Sequence, residues 1–283
     1  MLRLAIRVPR ERAELVLAEL LELAPAGVEE SGDGDVVEYA VYGTPGELPE
    51  LPDLEAAAGG TLVSVTTTEV ADDWADRWRA FHRPIEVGGT LFVRPPWEEP
   101  RPGLLDLVID PGQAFGTGAH PTTRLCLELL AEQAQCAARA AHLACSAAVG
   151  AVDVGCGSGV LAVAAAKLGL GPVLGLDHEV ESVRATIENA EVNGVGGLVA
   201  ADRFDLLRDG RAPSAPLMLA NLLRPLLLCV ARVGFDGPVP QTLIASGLLE
   251  HEADEIAAAF AAHGLAEDER LVDQGWAALR LSR

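Results

Sequence analysis

Apolar and polar residues alternate along residues 2–8, the two-residue period of a strand with one buried face. From 11 to 23 the leucines and valine shift to helical spacing, and Pro25 and Gly27 then stop the helix. Residues 27–30 and 36–42 read as strands around a Ser-Gly-Asp-Gly-Asp turn. Residues 47–58 read as a weak helix broken by Pro49 and Pro52, and 61–70, rich in Thr and Val, as a strand. The order βαββαβ predicts a small ferredoxin-like α+β module over residues 1–70. A short helix at 72–81 follows, with Trp74 and Trp78 four apart and therefore on one face. Pro84, Gly88-Gly89, a strand at 90–93 and Pro95-Pro96-Trp97 make residues 71–103 a linker.

From residue 104 to 283 strands and helices alternate, which predicts an open α/β sheet. Strands are expected at 104–109, 151–154, 174–177, 198–201, 217–221, 242–246 and 276–281, and helices from Thr122 onward and at 160–167, 179–193 and 250–263. The segment 131–149 is alanine-rich and carries no evident chemistry.

The domain is organised around 151–159, Ala-Val-Asp-Val-Gly-Cys-Gly-Ser-Gly, a strand and glycine turn leading into the helix at 160. Gly155, Gly157 and Gly159 permit a sharp turn and close ligand approach, and the free N–H groups of the helix start face the same space. Asp177 ends the next strand, where a carboxylate can accept both hydroxyls of a ribose. A dinucleotide fingerprint requires a third glycine at 160, which is Val160. The pattern G-x-G-x-G, with Asp153 two residues ahead, suits a nucleoside cofactor bearing an ammonium group better than one bearing a pyrophosphate. S-adenosylmethionine fits; a ligand-free turn and a nicotinamide or flavin site are the competing readings. Asp202 closes the third strand, where an acid can meet the adenine. Asn221 ends the fourth, where its amide oxygen can accept from an amine or its side chain can cap a helix.

The loop 110–123, Asp-Pro-Gly-Gln-Ala-Phe-Gly-Thr-Gly-Ala-His-Pro-Thr-Thr, precedes the glycine-turn strand in the chain. It is expected to fold over the cofactor's amino-acid end, with Phe115 covering it and the Thr123 hydroxyl reaching it. An ordinary loop with a capped helix is the alternative.

Composition narrows the partners. Of 283 residues 49% are apolar and only 4% aromatic, so the core is aliphatic. The net charge of −21 repels nucleic-acid backbones and favours a basic protein partner. Up to Gly60 there are thirteen acidic residues against four basic, which is either a solvated surface or a docking face. The five cysteines form no C-x-x-C pair and match no zinc spacing, so no metal is expected; reduced, mostly buried thiols of a cytosolic protein fit best. Arg3 and Arg7 interrupt the N-terminal apolar residues, and no signal peptide or membrane span is expected.

The motifs DPGQAFGTGAHPTT (110–123), DVGCGSG (153–159), NAEVNGV (189–195), ANLL (220–223) and SGLLE (246–250), with Trp74, Trp78, Pro84 and 95–97, closely resemble the ribosomal protein L-eleven methyltransferases, PrmA. The glycine turn alone indicates only a class I methyltransferase; the first motif is far more specific. The resemblance implies a Rossmann-like class I methyltransferase domain (104–283), a linker (71–103) and an N-terminal substrate-recognition domain (1–70). It implies transfer of methyl from S-adenosylmethionine to lysine side chains and the α-amine of free ribosomal protein L-eleven, by a cytoplasmic enzyme expected to be a monomer with no direct nucleic-acid or membrane contact. The family's cofactor positions fall on Thr123, Gly155, Asp177 and Asn221; Phe115 and His120 also match the motif. Asn221, with the carbonyls of Ala220 and Leu222, is the candidate for orienting the amine, and His120 for bracing the loop or acting as a base. Departures lie in a longer segment before Ala151, in 212–216 (Ala-Pro-Ser-Ala-Pro) and in 237–241 (Gly-Pro-Val-Pro-Gln). Rival readings are a class I enzyme for another protein or small amine, a nucleic-acid methyltransferase, and a non-catalytic S-adenosylmethionine-binding module.

Overall fold

The computed structural model describes residues 2–13, 16, 29–31, 35–43, 64–69, 83–110, 120–141 and 150–283. The chain divides into two compact units, Met1–Phe81 and His82–Arg283.

The first unit contains strands β1 (Leu2–Pro9), β2 (Glu29–Ser31), β3 (Val36–Gly43) and β4 (Ser64–Glu69), in one sheet of order β2-β3-β1-β4. All three pairings are antiparallel. The alternation predicted for residues 2–8 is realised: Leu4, Ile6 and Val8 bury with Val37, Tyr39, Ala13 and Val16. The Tyr39 hydroxyl donates to the Ala13 carbonyl at 3.0 Å, which satisfies its polar end inside that core. On the opposite face Arg7 meets Glu38 across the β1/β3 pair at 2.9 Å. The helix expected at 47–58, most of that at 11–23, and the tryptophan helix at 72–81 lie outside the described residues.

In the second unit, β5 (Ile85–Val87), β6 (Leu91–Arg94) and β7 (Leu105–Val108) form a small sheet. Gly88 and Gly89, both at positive φ (+56° and +61°), make the tight hairpin between β5 and β6. Arg94 donates two hydrogen bonds to Asp106, at 2.7 and 2.9 Å. Val87, Leu91, Val93 and Leu107 sink into the main core, so the stretch read as a linker carries structure of its own.

The further strands are β8 (Ala151–Val154), β9 (Val173–Asp177), β10 (Val199–Arg203), β11 (Ala212–Pro213), β12 (Leu217–Asn221), β13 (Phe235–Asp236), β14 (Thr242–Leu249), β15 (Ala266–Asp273) and β16 (Trp276–Ser282). The main sheet has the order β10-β9-β8-β12-β14-β16-β15, and β11 pairs with β13 apart from it. The first five strands in spatial order run parallel, and β16 is antiparallel to both neighbours. This is the Rossmann-like arrangement.

Helices cover both faces. The chain alternates buried residues between them: Leu217 and Leu219 pack with α1 (Pro121–Ala141) and α2 (Val160–Lys167). Met218 and Ala220 pack with α4 (Arg224–Val233) and α5 (Ala253–Ala261). Helix α3 (Val180–Val192) lies over β9 and β10.

Several elements were not anticipated: the short strands at 85–87, 212–213 and 235–236, and, more consequentially, a helix and an edge strand. Helix α4 starts with Arg224-Pro225, a proline suited to the first helical turn, and buries Leu227, Val230 and Ala231. Strand β15 is an edge strand whose Glu267-Asp268-Glu269-Arg270 run hides the alternation; edges carry charge because an apolar edge would pair with other chains. Cys126, Cys156 and Cys229 are buried thiols and Cys136 is an exposed one. Among the described residues no helix is long and apolar enough to cross a membrane, and no cluster of His, Cys, Asp or Glu could hold a metal.

Candidate cofactor and methyl-transfer site

The chain runs outward from β8 to β9 and β10, then returns to β12 and β14 on the other side of β8. The reversal between β8 and β12 opens a crevice at the carboxyl ends of these strands, where ligands bind in sheets of this kind. The register aligns the candidates along that edge. Val154 pairs with Leu176 and with Ala220, so Gly155, Asp177 and Asn221 each stand one step beyond the same row.

The glycine turn is held from both sides. Gly155 and Cys156 N–H groups donate to the Leu176 carbonyl at 2.7 and 3.1 Å. Gly155 has φ +74°, and a Cβ there would lie 2.4 Å from Leu222 Cδ2, so both the turn and the close approach of Leu222 require glycine. Gly159, at φ +79°, has Thr186 against it; a Cβ would meet the Thr186 backbone at 2.8 Å. The Thr186 hydroxyl in turn donates to the Gly157 carbonyl at 3.1 Å.

Asp177 lies with its carboxylate at the crevice. One oxygen accepts the Gly157 N–H and the other the Glu179 N–H, each at 3.0 Å. His178 Nδ1 also lies 3.3 Å from the oxygen that accepts the Glu179 N–H. A carboxylate offers about four acceptor positions, so a ribose hydroxyl finds a free one on the Gly157 side and competes with His178 for the other. Beside it is a cavity of about 210 Å³. Its walls are largely apolar: Val154, Leu176, Phe204, Leu206, Leu222 and Leu226, with Gly155 and Asp177 at one side. A flat heterocycle attached to a ribose is what such a slot accommodates. Asp202 does not line it. The chain turns after β10, and Asp205 is the acid at the cavity instead. Asp205 is tied into that turn, accepting the Leu207 N–H at 2.9 Å.

Asp153 projects to the opposite face of β8 and is buried beneath the glycine turn. One oxygen accepts the Ala162 N–H at 3.1 Å, anchoring the start of α2; the other has no hydrogen-bond partner among the described residues. Burial pushes its carboxyl from 3.8 up to about 7, with the Ala162 N–H pulling the other way and the Asp177 charge adding to the rise. A folded pKa above the unfolded one means folding takes up a proton. The stability from this group is present below about pH 3.8 and is lost as pH rises through about 7. Asp153→Asn is therefore expected to flatten the decline of ligand-free stability between pH 4 and 8. Denaturant titrations at both ends of that range check it, and equal slopes for the variant and the parent would refute it.

The loop before α1 ends at His120, whose Nδ1 accepts the Thr122 N–H at 3.3 Å and lies 2.8 Å from the Thr122 hydroxyl. The His120 ring meets Trp276 edge to face, with centroids 5.0 Å apart, and burial lowers its pKa. This is a bracing geometry at the head of α1. Three residues on, Thr123 is fully buried, and the Asn221 amide Nδ2 donates to its hydroxyl oxygen at 3.2 Å. Thr123 and Asn221 are thus brought together, though neither lines the cavity beside Asp177. Phe115 lies outside the described residues.

The remaining motifs act as supports. Asn189 on α3 and Asn193, the residue that caps its C-terminal end, clamp the strand that leads to residues 110–120. Asn189 accepts the Asp110 N–H at 3.0 Å and donates to the Ser158 carbonyl at 2.8 Å. Asn193 exchanges hydrogen bonds with the Val108 N–H and carbonyl at 3.0 and 2.6 Å. In the Ser-Gly-Leu-Leu-Glu stretch, Gly247 sits at a bulge of β14 at φ +84°. A Cβ there would lie 2.4 Å from the Leu222 carbonyl oxygen. Gly247→Ala is expected to cost about 2–4 kcal/mol of unfolding free energy, because left-handed backbone and overpacking combine. A chemical denaturation curve reads this, and a loss below about 1 kcal/mol would show that Leu222 yields freely.

Comparison with known proteins agrees with this geometry. The family model described as Ribosomal protein L11 methyltransferase (PrmA) matches residues 49–283. A protein of Pelotomaculum thermopropionicum named ribosomal protein L11 methyltransferase is 34% identical, over 98% of this chain and 97% of its own length. One of Heliobacterium modesticaldum with the same name is 38% identical, over 74% of this chain and 63% of its own. A crystal structure described as ribosomal protein L11 methylase, from Lactobacillus delbrueckii subsp. bulgaricus, superposes with a TM-score of 0.58 at 31% identity. It covers 71% of this chain and 99% of that one. The chain belongs to the ribosomal protein L11 methyltransferase (PrmA) family.

Proposed function

We propose that this protein transfers methyl groups from S-adenosylmethionine to lysine side-chain and α-amino nitrogens of ribosomal protein L11. The observation that carries the proposal is the alignment of Gly155, Asp177 and Asn221 on one strand-end row, with Thr123 hydrogen-bonded to Asn221. Asp177 is the acceptor for the ribose hydroxyls and the apolar slot takes the adenine. Gly155 and Gly157, both at positive φ, form the turn assigned to the cofactor's spine, and Phe115 is the candidate for covering it. Asp153, whose carboxyl burial raises to about 7, sits beneath the turn, where a cationic amino-acid end would favour its ionised form and a phosphate would not.

The cofactor supplies a methyl group on a sulfonium that is already activated for in-line displacement. The chain's own contribution is alignment, which can be worth about 7–11 kcal/mol. A lysine near pKa 10.4 must also lose its proton, at about 4.6 kcal/mol at pH 7, and an apolar site lowers that cost. Asn221, with the carbonyls of Ala220 and Leu222, accepts the amine's N–H groups and turns its lone pair to the methyl. Residues 1–70 act as a ferredoxin-like substrate-recognition domain, 71–103 as the linker and 104–283 as the catalytic domain. A net charge of −21 supports a free, basic protein substrate and no direct nucleic-acid contact. The protein acts as a cytoplasmic monomer, away from membranes.

The decisive experiment incubates the protein with isotope-labelled donor and ribosomal proteins from an unmethylated source. Mass analysis should find label on lysines and the N-terminus of L11. Label on another protein, or none, rejects the substrate assignment.

A further inference from the structure

We propose that Thr123 is a positioning residue that works through Asn221 rather than on the cofactor alone. This rests on the assignment of Asn221 to the amine. An asparagine amide has two ends of almost the same shape and opposite chemistry. A neutral amine held for attack needs an acceptor for its N–H groups, so the amide must offer Oδ1 and withhold Nδ2. With the amide turned over, the NH₂ end would meet the amine, donor against donor. Nothing in the backbone of β12 selects between the two ends.

In the structure Thr123 meets the NH₂ end. Its hydroxyl oxygen accepts from Nδ2 at 3.2 Å, which leaves Oδ1 as the free end of the amide; because a threonine hydroxyl can also donate, this arrangement requires the hydroxyl's own proton to be directed elsewhere. Thr123 is fully buried in the first turn of α1, so its hydroxyl is fixed in place by the helix. The helix start is itself fixed by His120, which caps it and packs on Trp276. On the other side, the Asn221 backbone is held by the Leu222 N–H, which donates to the Ser246 carbonyl at 2.9 Å. Both partners of the amide contact are thus mounted on rigid elements 98 residues apart in the chain.

The test compares Thr123→Val, which keeps the shape and removes the hydroxyl, with Thr123→Ser, which keeps the hydroxyl. In T123V, kcat is expected to fall about tenfold, the value of one neutral hydrogen bond. Binding of S-adenosylhomocysteine, read by calorimetry, should change by less than about threefold, and T123S should recover most of the turnover. In an Asn221→Ala background T123V should add no further loss. In the ligand-free protein, the NMR signals of the Asn221 side-chain NH₂, identified by their loss in N221A, should shift in T123V and stay in place in T123S. Weakened cofactor binding with unchanged kcat would make Thr123 a cofactor contact only and overturn the proposal. So would equal loss of turnover in T123V and T123S, or an unmoved amide signal. If the parent protein labels no L11, the substrate assignment falls, and the NMR comparison still decides the amide contact.

Discussion

Asp177→Ala is expected to weaken binding of S-adenosylhomocysteine by at least about a hundredfold, as read by calorimetry. Two hydroxyls donating to one carboxylate are charge-assisted hydrogen bonds worth about 1.5–3 kcal/mol each. Losing both removes about 3–6 kcal/mol, and each 1.4 kcal/mol is tenfold in affinity. The effect is compounded because the carboxylate also receives the Gly157 and Glu179 N–H groups at 3.0 Å. Without it the glycine turn loses one of its ties to β9 and keeps those of the Gly155 and Cys156 N–H groups to the Leu176 carbonyl. Asp177→Asn separates the two contributions, since an amide oxygen can still accept one of these N–H groups while the charge is gone. Its affinity should fall between those of the parent and the alanine variant. Unchanged binding by the alanine variant would place the ribose elsewhere.

Asn221→Ala carries the second large expectation. Turnover should drop about a hundredfold, the penalty commonly attached to losing alignment of a reacting group by about an ångström. Cofactor affinity should remain within about threefold of the parent, because the adenosine contacts lie across the crevice at Asp177 and the apolar slot. Steady-state kinetics on L11 and calorimetry with S-adenosylhomocysteine measure the two quantities separately. Full activity in this variant would remove Asn221 from the transfer step.

Much of this was legible in the sequence, and the reasons differ by element. The strand, glycine turn and helix at 151–167 could be read because glycine at positive φ and an all-apolar strand are local signals that no tertiary context overrides. The Asn ending β12 could be placed at the sheet edge because strand direction alone puts it there. Asp202 falls outside the cavity for a related reason: the chain turns once more after β10, and Phe204 and Asp205 line the cavity where the strand's own last acid does not. Helix α4 went unread because its leucines follow directly on those of β12, and one apolar run hid a change of period. Strand β15 was hidden by its charges. The asparagines at 189 and 193 were visible as a motif, but their use as a clamp on Val108 and Asp110 is a long-range fact that no local pattern carries.

Two of the three segments that depart from the family pattern are neighbours. The Ser214 hydroxyl donates to the Pro238 carbonyl, next to the parallel pairing of Ala212–Pro213 with Phe235–Asp236. A change in one is thus matched by contact with the other, and none of these residues lines the cavity beside Asp177.

The last strand of the chain, β16, is not at the rim of the main sheet. It is inserted between β14 and β15, pairing with both. Any chain halted before Trp276 therefore leaves β14 with an open row of amide and carbonyl groups, and β15 with nothing to lie against. Ser246, the residue across from Asn221, sits on that exposed strand and would lose the Ala277 carbonyl its hydroxyl bonds. Until residues 276–282 have been made, the strand next to Asn221 thus stays unpaired on one side, and a chain cut off before them carries that open edge.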